Sequence, residues 1–413
     1  MQLILYRIFL FLYRLAINIA ANFNAKAKKW RNGRRHLFDN IATEMVRHGE
    51  RRIWIHCASL GEFEQGRPVI EAIRKQYPAY KIVLTFFSPS GYEIRKDTPL
   101  ADYVFYMPLD GKKKSKRFLE LVDPVMAIFV KYEFWFYYLC YLSKRKTPTF
   151  IISAAFRKDQ GFFQWYGGLF RKMLRNFNHV FVQDQQSKDL LAGVGISEKV
   201  TVSGDTRYDR VAEIADNVKQ FPVVEQFANG NKLLVAGSTW PDDEKMLKES
   251  LSSMPENWKI IIAPHEIDQP HIEHIKELFG EDCTLYSKPE DINQKKVLII
   301  DNIGMLSSLY SYGSVAYVGG GFQKGGIHNA LEPAVFGLPV FFGPFYQKFV
   351  EAKELVDKGY AFPVQNATEF NKSLRELLSR DMDALQANIR AYMQAHTGAT
   401  TNIMAHLSGQ YLR

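Results

Sequence analysis

Two acidic residues sit where acid–base chemistry is commonly placed. Glu62 follows the apolar run RIWIHCAS in Leu60-Gly61-Glu62-Phe63-Glu64, and Glu133 follows AIFVK in KYEFW. A carboxylate just beyond a β-type run can take a proton from a hydroxyl nucleophile or position a sugar. Glu62 also has a structural reading, because Ser59 and Glu62 fit the S-x-x-E capping box at a helix start. A second constellation is Gly319-Gly320-Gly321-Phe322-Gln323-Lys324-Gly325-Gly326-Ile327-His328-Asn329, between the run SVAYV and the short helical stretch LEPAVFG. Its glycines let backbone amides approach an anion and a helix start adds positive dipole, so a phosphate site is expected in preference to a glycine-rich turn with no ligand. The spacing is neither G-x-G-x-x-G nor G-x-x-x-x-G-K-[ST], which excludes the dinucleotide and P-loop motifs. Glu332, at that helix start, either complements the dipole or accepts bonds from a ribose diol. His271 and His274 form H-x-x-H on a polar helix with no third ligand evident, which reads as a solvated face. Lys112, Lys113, Lys114, Lys116 and Arg117 read equally as a solvated helix or as a contact with a phosphorylated or membrane-bound substrate. No metal and no cofactor is expected.

The elements that must position these residues follow from hydrophobic patterning. From Arg52 onward, apolar β-type runs alternate with amphipathic stretches, which predicts parallel sheets covered on both faces. One series runs from RIWIHCAS to VTVSGDTRYD and a second from KLLVAGST to LPVFFGP, joined near residues 210 to 230. Ligands bind beyond the carboxyl ends of such strands, where both constellations lie. A length of 413 residues with 46% hydrophobic positions suits two or three domains. The expected division is 1–38, 39–210 and 211–413.

The formal charge is +9, and eight of those charges come from Arg7, Arg14, Lys26, Lys28, Lys29, Arg31, Arg34 and Arg35, before the first acid at Asp39. The body is near neutral, which argues against nucleic acid as a partner. Met1 to Ala21 is largely apolar but carries Arg7 and Arg14, which share one stripe of a helix, so this segment either spans a bilayer or lies in its interface. The basic run from Lys26 to Arg35 favours the cytoplasmic side and anionic lipid. No small-x-small cleavage pattern follows, which weakens a signal-peptide reading. Cys57, Cys140 and Cys283 lie far apart with no C-x-x-C, and support neither a disulfide framework nor a zinc ribbon.

The chain resembles the Kdo transferases, bacterial enzymes that add 3-deoxy-D-manno-octulosonic acid (Kdo) to the lipid A precursor. The resemblance is carried by IHCASLGEFEQGRPVI, TFFSPSGYE, YEFW, SGDTRYDR, VAGSTWPDDE, IIAPHE, IIDNIGMLSSLY and VGGGFQKGGIHNALEPAVFGLPVFFGP, the first and last being the specific blocks. It implies an α/β chain of GT-B architecture: two Rossmann-like doubly wound domains facing a cleft, with an N-terminal membrane-anchoring helix. It further implies an acceptor domain over 39–210 and a CMP-Kdo donor domain over 211–413. Glu62 matches the family's general base and Glu133 its second essential acid. Gly320, Gly321, Gly325, Gly326, His328, Asn329 and Glu332 match its glycine-rich donor block. Arg207, Ser238, Thr239 and His265 match further donor positions. The chain departs from the family pattern at Ile327, at Phe136 after Trp135, and at Pro264-His265, which lacks an intervening arginine. The implied reaction is an inverting, metal-independent transfer of Kdo from CMP-Kdo to a hydroxyl of the lipid A precursor, at the cytoplasmic face of the inner membrane. The rival readings are a GT-B enzyme or epimerase using a UDP-sugar, and a non-catalytic peripheral membrane protein.

Overall fold

Runs such as IWIHC, IVLTF, AIFV and FIIS are apolar at nearly every position, the pattern of strands buried on both faces rather than on one. A computed structural model describes residues 1–45 and 49–412; Val46, Arg47, His48 and Arg413 lie outside the described residues. The chain divides into two units, Met1–Arg210 with Thr397 onward, and Val211–His396.

The first unit holds β1 (Arg52–Cys57), β2 (Lys81–Phe86), β3 (Tyr103–Tyr106), β4 (Met126–Val130), β5 (Thr149–Ala154), β6 (His179–Val182) and β7 (Val200–Val202). They form a seven-stranded sheet in the order β3-β2-β1-β4-β5-β6-β7, all in parallel register. The strand order reverses between β1 and β4, a topological switch point where ligands of doubly wound sheets bind. Trp54 of β1 is fully buried and packs against Phe118, Phe129 and Tyr138. The N-terminal helices α1 (Gln2–Ala20) and α2 (Ala25–Asn32) belong to this unit. Residues 1–38, expected as a separate anchor, are therefore built into the first unit. The Arg34 guanidinium, for example, donates to the carbonyls of Phe87 (2.7 Å) and Met107 (3.1 Å).

The second unit holds β8 (Lys232–Thr239), β9 (Trp258–Pro264), β10 (Cys283–Leu285), β11 (Val297–Ile299), β12 (Val315–Val318), β13 (Val340–Phe342) and β14 (Ala361–Pro363). Its order, β10-β11-β9-β8-β12-β13-β14, places the switch point between β8 and β12. Three helices follow strands that border the sites: α3 (Leu60–Gln76) after β1, α4 (Phe136–Lys144) after β4 and α5 (Pro241–Leu251) after β8.

The expected domain 211–413 needs a correction. From Thr397 the chain packs with the first unit, where Ile403, Met404 and Leu407 of α6 (Ala399–Gln410) join Ile53, Ile55, Phe150 and Phe181 in one core. Asp209 fastens the start of α6 by accepting from the backbone N–H groups of Gly398 (2.5 Å) and Thr400 (2.6 Å). An amphipathic helix goes to whichever sheet face lacks cover, and sequence position alone does not reveal which face that is.

Candidate active site

Glu62 lies in the first turn of α3, directly after β1, and Glu133 follows β4, so the acids come from adjacent strands flanking the first switch point. Adjacent strands run roughly 5 Å apart. Gly66 lets α3 approach closely: a Cβ there would lie 2.9 Å from Val130 and 3.5 Å from the Cys57 sulfur. The Cys57 thiol, fully buried at the end of β1, is pushed up by burial and then by the charges of Glu62, Glu133 and Glu64. One atom thus feels both candidate acids. Lys131, between β4 and Glu133, has φ of 67°, a left-handed conformation that costs energy in a non-glycine residue and is common at functional sites.

The capping-box reading of Glu62 fails in this structure. Ser59 is the N-cap of α3 but makes no side-chain cap bond; its hydroxyl donates instead to the Glu62 carboxylate. The Ser59–Glu62 pair therefore orients a carboxylate and does not close a helix end.

Glu133 is held by residues that sequence patterning did not single out. Its Oε2 accepts from Trp135 Nε1 (2.6 Å) and lies 3.0 Å from His56 Nε2. His56 is fully buried in β1, and its Nδ1 lies 2.9 Å from Thr85 Oγ1 and 3.1 Å from the Thr85 carbonyl. Thr85 Oγ1 already accepts from Trp54 Nε1 (2.8 Å), so its own proton is available to His56 Nδ1. That assignment puts the imidazole proton on Nε2, facing Glu133. The opposite tautomer would turn a lone pair toward the carboxylate. Trp54, Thr85 and His56 form a buried chain of donors ending on Glu133.

In the second unit, Ser238 and Thr239 end β8, while the glycine-rich loop follows β12, so they flank the second switch point. Ser238 has φ of 53° at a register shift between β8 and β9. A Cβ on Gly319 would collide with the Ser238 carbonyl, and Gly320 has φ of 88°, so the loop crosses β8 only without side chains there. Trp240, His265 and His328 stack, with ring centroids 4.8 and 4.3 Å apart. His328 is held down to about 4 by burial and by His265 beside it, so near neutrality it is uncharged and its Nε2 accepts from Trp240 Nε1 (3.1 Å). Asn329 Nδ2 donates to Glu332 (3.1 Å). A cavity of about 590 Å³ opens beside His265, lined by Pro264, Ile300, Asn302, Ile303 and Gly304 beyond the ends of β9 and β11.

Some expectations change. The helix after the loop, Leu331–Ala334, is a single turn with little dipole to offer an anion. Several loop amides are used internally: Gly320 N–H donates to Asp243, while those of Gly319, Gly326, Ile327 and His328 donate to backbone carbonyls. Gly325 is exposed, and the Thr239 hydroxyl donates to buried Glu244 (2.9 Å). Arg207, expected near the donor, belongs to the first unit and pairs with Asp205 (2.7 Å). His271 pairs with Glu244 (3.0 Å) while His274 is exposed, so the H-x-x-H residues do not act together. Asp243 is the residue the motif reading missed: only 1% exposed, it accepts from Tyr317 (2.7 Å), Trp240 N–H (2.9 Å) and Gly320 N–H (2.9 Å). Burial pushes its carboxyl up against the effect of those three donors. The acidic run after Pro241 was its only signal.

Residues 29–210 match a family model described as 3-deoxy-D-manno-octulosonic-acid transferase (kdotransferase). The 3-deoxy-D-manno-octulosonic acid transferase of Aquifex aeolicus is 28% identical over 343 residues, covering 81% of this chain and 88% of that protein. The transferase of the same name from Chlamydophila psittaci is 30% identical over 310 residues, covering 71% of this chain and 70% of that protein. Among solved structures, the UDP-GlcNAc 2-epimerase from Neisseria meningitidis superposes with a TM-score of 0.59 at 17% identity, covering 87% of this chain and 100% of that one. At that identity the likeness shows the fold alone, the GT-B architecture of two doubly wound sheets.

Proposed function

We propose a reaction from one premise: the chain belongs to the 3-deoxy-D-manno-octulosonic acid transferase family, glycosyltransferases that transfer Kdo in lipopolysaccharide biosynthesis. The donor is CMP-Kdo and the acceptor a hydroxyl of a lipid A precursor, presented at the cytoplasmic face of the inner membrane. Glu62 takes the proton of the acceptor hydroxyl, whose oxygen attacks the anomeric carbon of Kdo. The bond from that carbon to the phosphate oxygen breaks, and CMP leaves with the electron pair as an oxocarbenium-like centre passes through inversion. Glu133, fixed by His56 and Trp135, is the second acid, placed to hold the sugar. The observation that carries this reading is the pair of carboxylates at the ends of β1 and β4, with Ser59 turned onto Glu62 instead of the helix backbone.

The second unit binds the donor, with its cytosine in the cavity beside His265. Ser238, Gly320, Gly321, Gly326 and His328 face the phosphate and sugar, and Asn329 with Glu332 takes the ribose diol. Gly325 and Thr239 contribute backbone only, and Lys324 supplies charge to the single phosphate. The basic N-terminal region attaches the enzyme to anionic lipid. The test is mass spectrometry of products after incubation with a tetraacylated lipid A precursor and either CMP-Kdo or UDP-sugars. A mass increment of Kdo from CMP-Kdo alone is expected; transfer from a UDP-sugar, or none, overturns the proposal.

A further inference from the structure

We infer that α1 lies flat in the headgroup region of an anionic bilayer, with the loop 161–168 and its Trp165 as a second point of lipid contact. This deepens the membrane attachment proposed above, and it rests on how α1 is fastened to the first unit.

One side of α1 is bound to protein. Tyr6 donates to Asp110 Oδ2 (2.6 Å). That carboxylate is 5% exposed and also accepts from Ser115 (2.7 Å) and the backbone N–H groups of Tyr137 (3.0 Å) and Tyr138 (3.3 Å). Arg7 donates to the Tyr137 hydroxyl, and the Tyr13 ring meets Trp30 and Phe87. At the other end, Gln2 Nε2 donates to the Tyr166 carbonyl (2.7 Å). From Gln2 to Tyr13 the helix thus runs along the first unit for about 17 Å, more than half of a hydrocarbon core of roughly 30 Å. A spanning α1 would carry Asp110 and its surroundings into hydrocarbon or tear these bonds apart. A flat α1 keeps all of them.

The other side is apolar and uncovered. Ile4, Leu5, Ile8, Phe9, Leu12 and Leu15 are each between 47% and 60% exposed. At about 100° per residue they lie opposite Leu3, Tyr6, Leu10 and Tyr13, while Arg7 and Arg14 fall on one flank between the two sides. Trp165 is 90% exposed on a loop that Arg171 braces by donating to the carbonyls of Phe162 (2.8 Å) and Gln164 (3.0 Å). The bond from Gln2 to Tyr166 ties that loop to the first turn of α1, so tryptophan and helix belong to one surface. Lys114 is near enough to Arg14 to be pushed down by burial and by that charge, and Lys26, Lys28 and Lys29 follow on α2. An exposed apolar stripe with a basic flank and an indole at its edge is complementary to an anionic lipid interface.

The full chain carrying Cys140→Ser and Cys283→Ser retains Cys57, which is fully buried and does not label. In this background nitroxides at Leu5→Cys, Leu12→Cys and Ile19→Cys report depth in vesicles of phosphatidylglycerol and phosphatidylcholine. Equal depths of about 5–10 Å below the headgroup boundary are expected. A label at Leu12→Cys reaching the bilayer centre, with the other two shallow, overturns the flat orientation. Trp165→Glu should weaken vesicle binding about tenfold or more with an unchanged melting temperature, because the indole is lost and a charge enters its place. Unchanged binding overturns the loop contact, and equal binding to pure phosphatidylcholine overturns the anionic preference. Sedimentation in lipid-free buffer should show no dimer that closes this face; a dimer that excludes vesicles overturns the lipid assignment. Kdo transfer to a detergent-dispersed acceptor is scored separately, so this inference and the proposed reaction can fail independently.

Discussion

Replacing Glu62 by glutamine removes a proton acceptor while leaving its shape. Because Ser59 makes no cap bond and only donates to the Glu62 carboxylate, the amide oxygen of glutamine can accept the same hydroxyl. The stability cost is confined to the lost negative charge in the first turn of α3, about 0.3–1 kcal/mol. Losing a general base costs about a hundredfold to ten-thousandfold in kcat, or about 2.7–5.5 kcal/mol of activation free energy. The expected outcome is thus a near-inactive protein with an almost unchanged melting curve and unchanged CMP affinity. Steady-state transfer rates, thermal melts and CMP titration of the purified variant measure all three. A variant retaining more than about a third of wild-type kcat, well above the range for a lost base, would remove Glu62 from that role. Ser59→Ala is the companion: a true capping box would lose about 1 kcal/mol of stability. Here the change in stability is expected to stay below about 0.5 kcal/mol, while kcat falls about tenfold through loss of a bond to a charged group.

His56→Phe fills the same space but withdraws one of the N–H donors on Glu133; kcat should fall about tenfold to a hundredfold with CMP affinity unchanged, and a weakened CMP affinity would count against the positioning role. Asp243→Ala strips the acceptor from Tyr317, Trp240 N–H and Gly320 N–H, so the second unit should lose about 3 kcal/mol or more in denaturant unfolding and bind CMP more weakly; a loss below about 1 kcal/mol contradicts the anchoring role. His179 is held down to about 4 from its usual 6.5 by burial, with His406 and Lys199 adding to it. The unfolded chain therefore takes up this proton first as pH falls, so wild type should lose stability between pH 6.5 and about 4. His179→Gln should lose less over that window in parallel melts, and identical pH profiles would rule out the linkage.

Alternation of apolar runs with amphipathic stretches is a local signal, and it was enough for two doubly wound parallel units, because strand and helix periodicities are written in neighbouring residues. The glycine-rich block and the acids after RIWIHCAS and AIFVK were legible for the same reason: each lies at the end of a recognisable run. What neighbouring residues do not encode is which strand lies beside which. Only the strand order makes β1 and β4 adjacent and so sets Glu62 and Glu133 after neighbouring strand ends, and likewise sets the end of β8 beside the glycine loop. His56 and Thr85 looked like strand filler because their partners lie 77 and 29 positions away, at distances only a folded sheet brings within bonding reach. The S-x-x-E spacing of Ser59 and Glu62 was compatible with a cap or with an oriented carboxylate, and the rotamers chosen by packing decided for the carboxylate. The composition of α1 left spanning and interfacial placements equal. The bond from Tyr6 to Asp110 is what favours the flat placement inferred above, since a spanning helix would either withdraw one of the four donors from that buried carboxylate or draw the polar surface of the first unit into hydrocarbon.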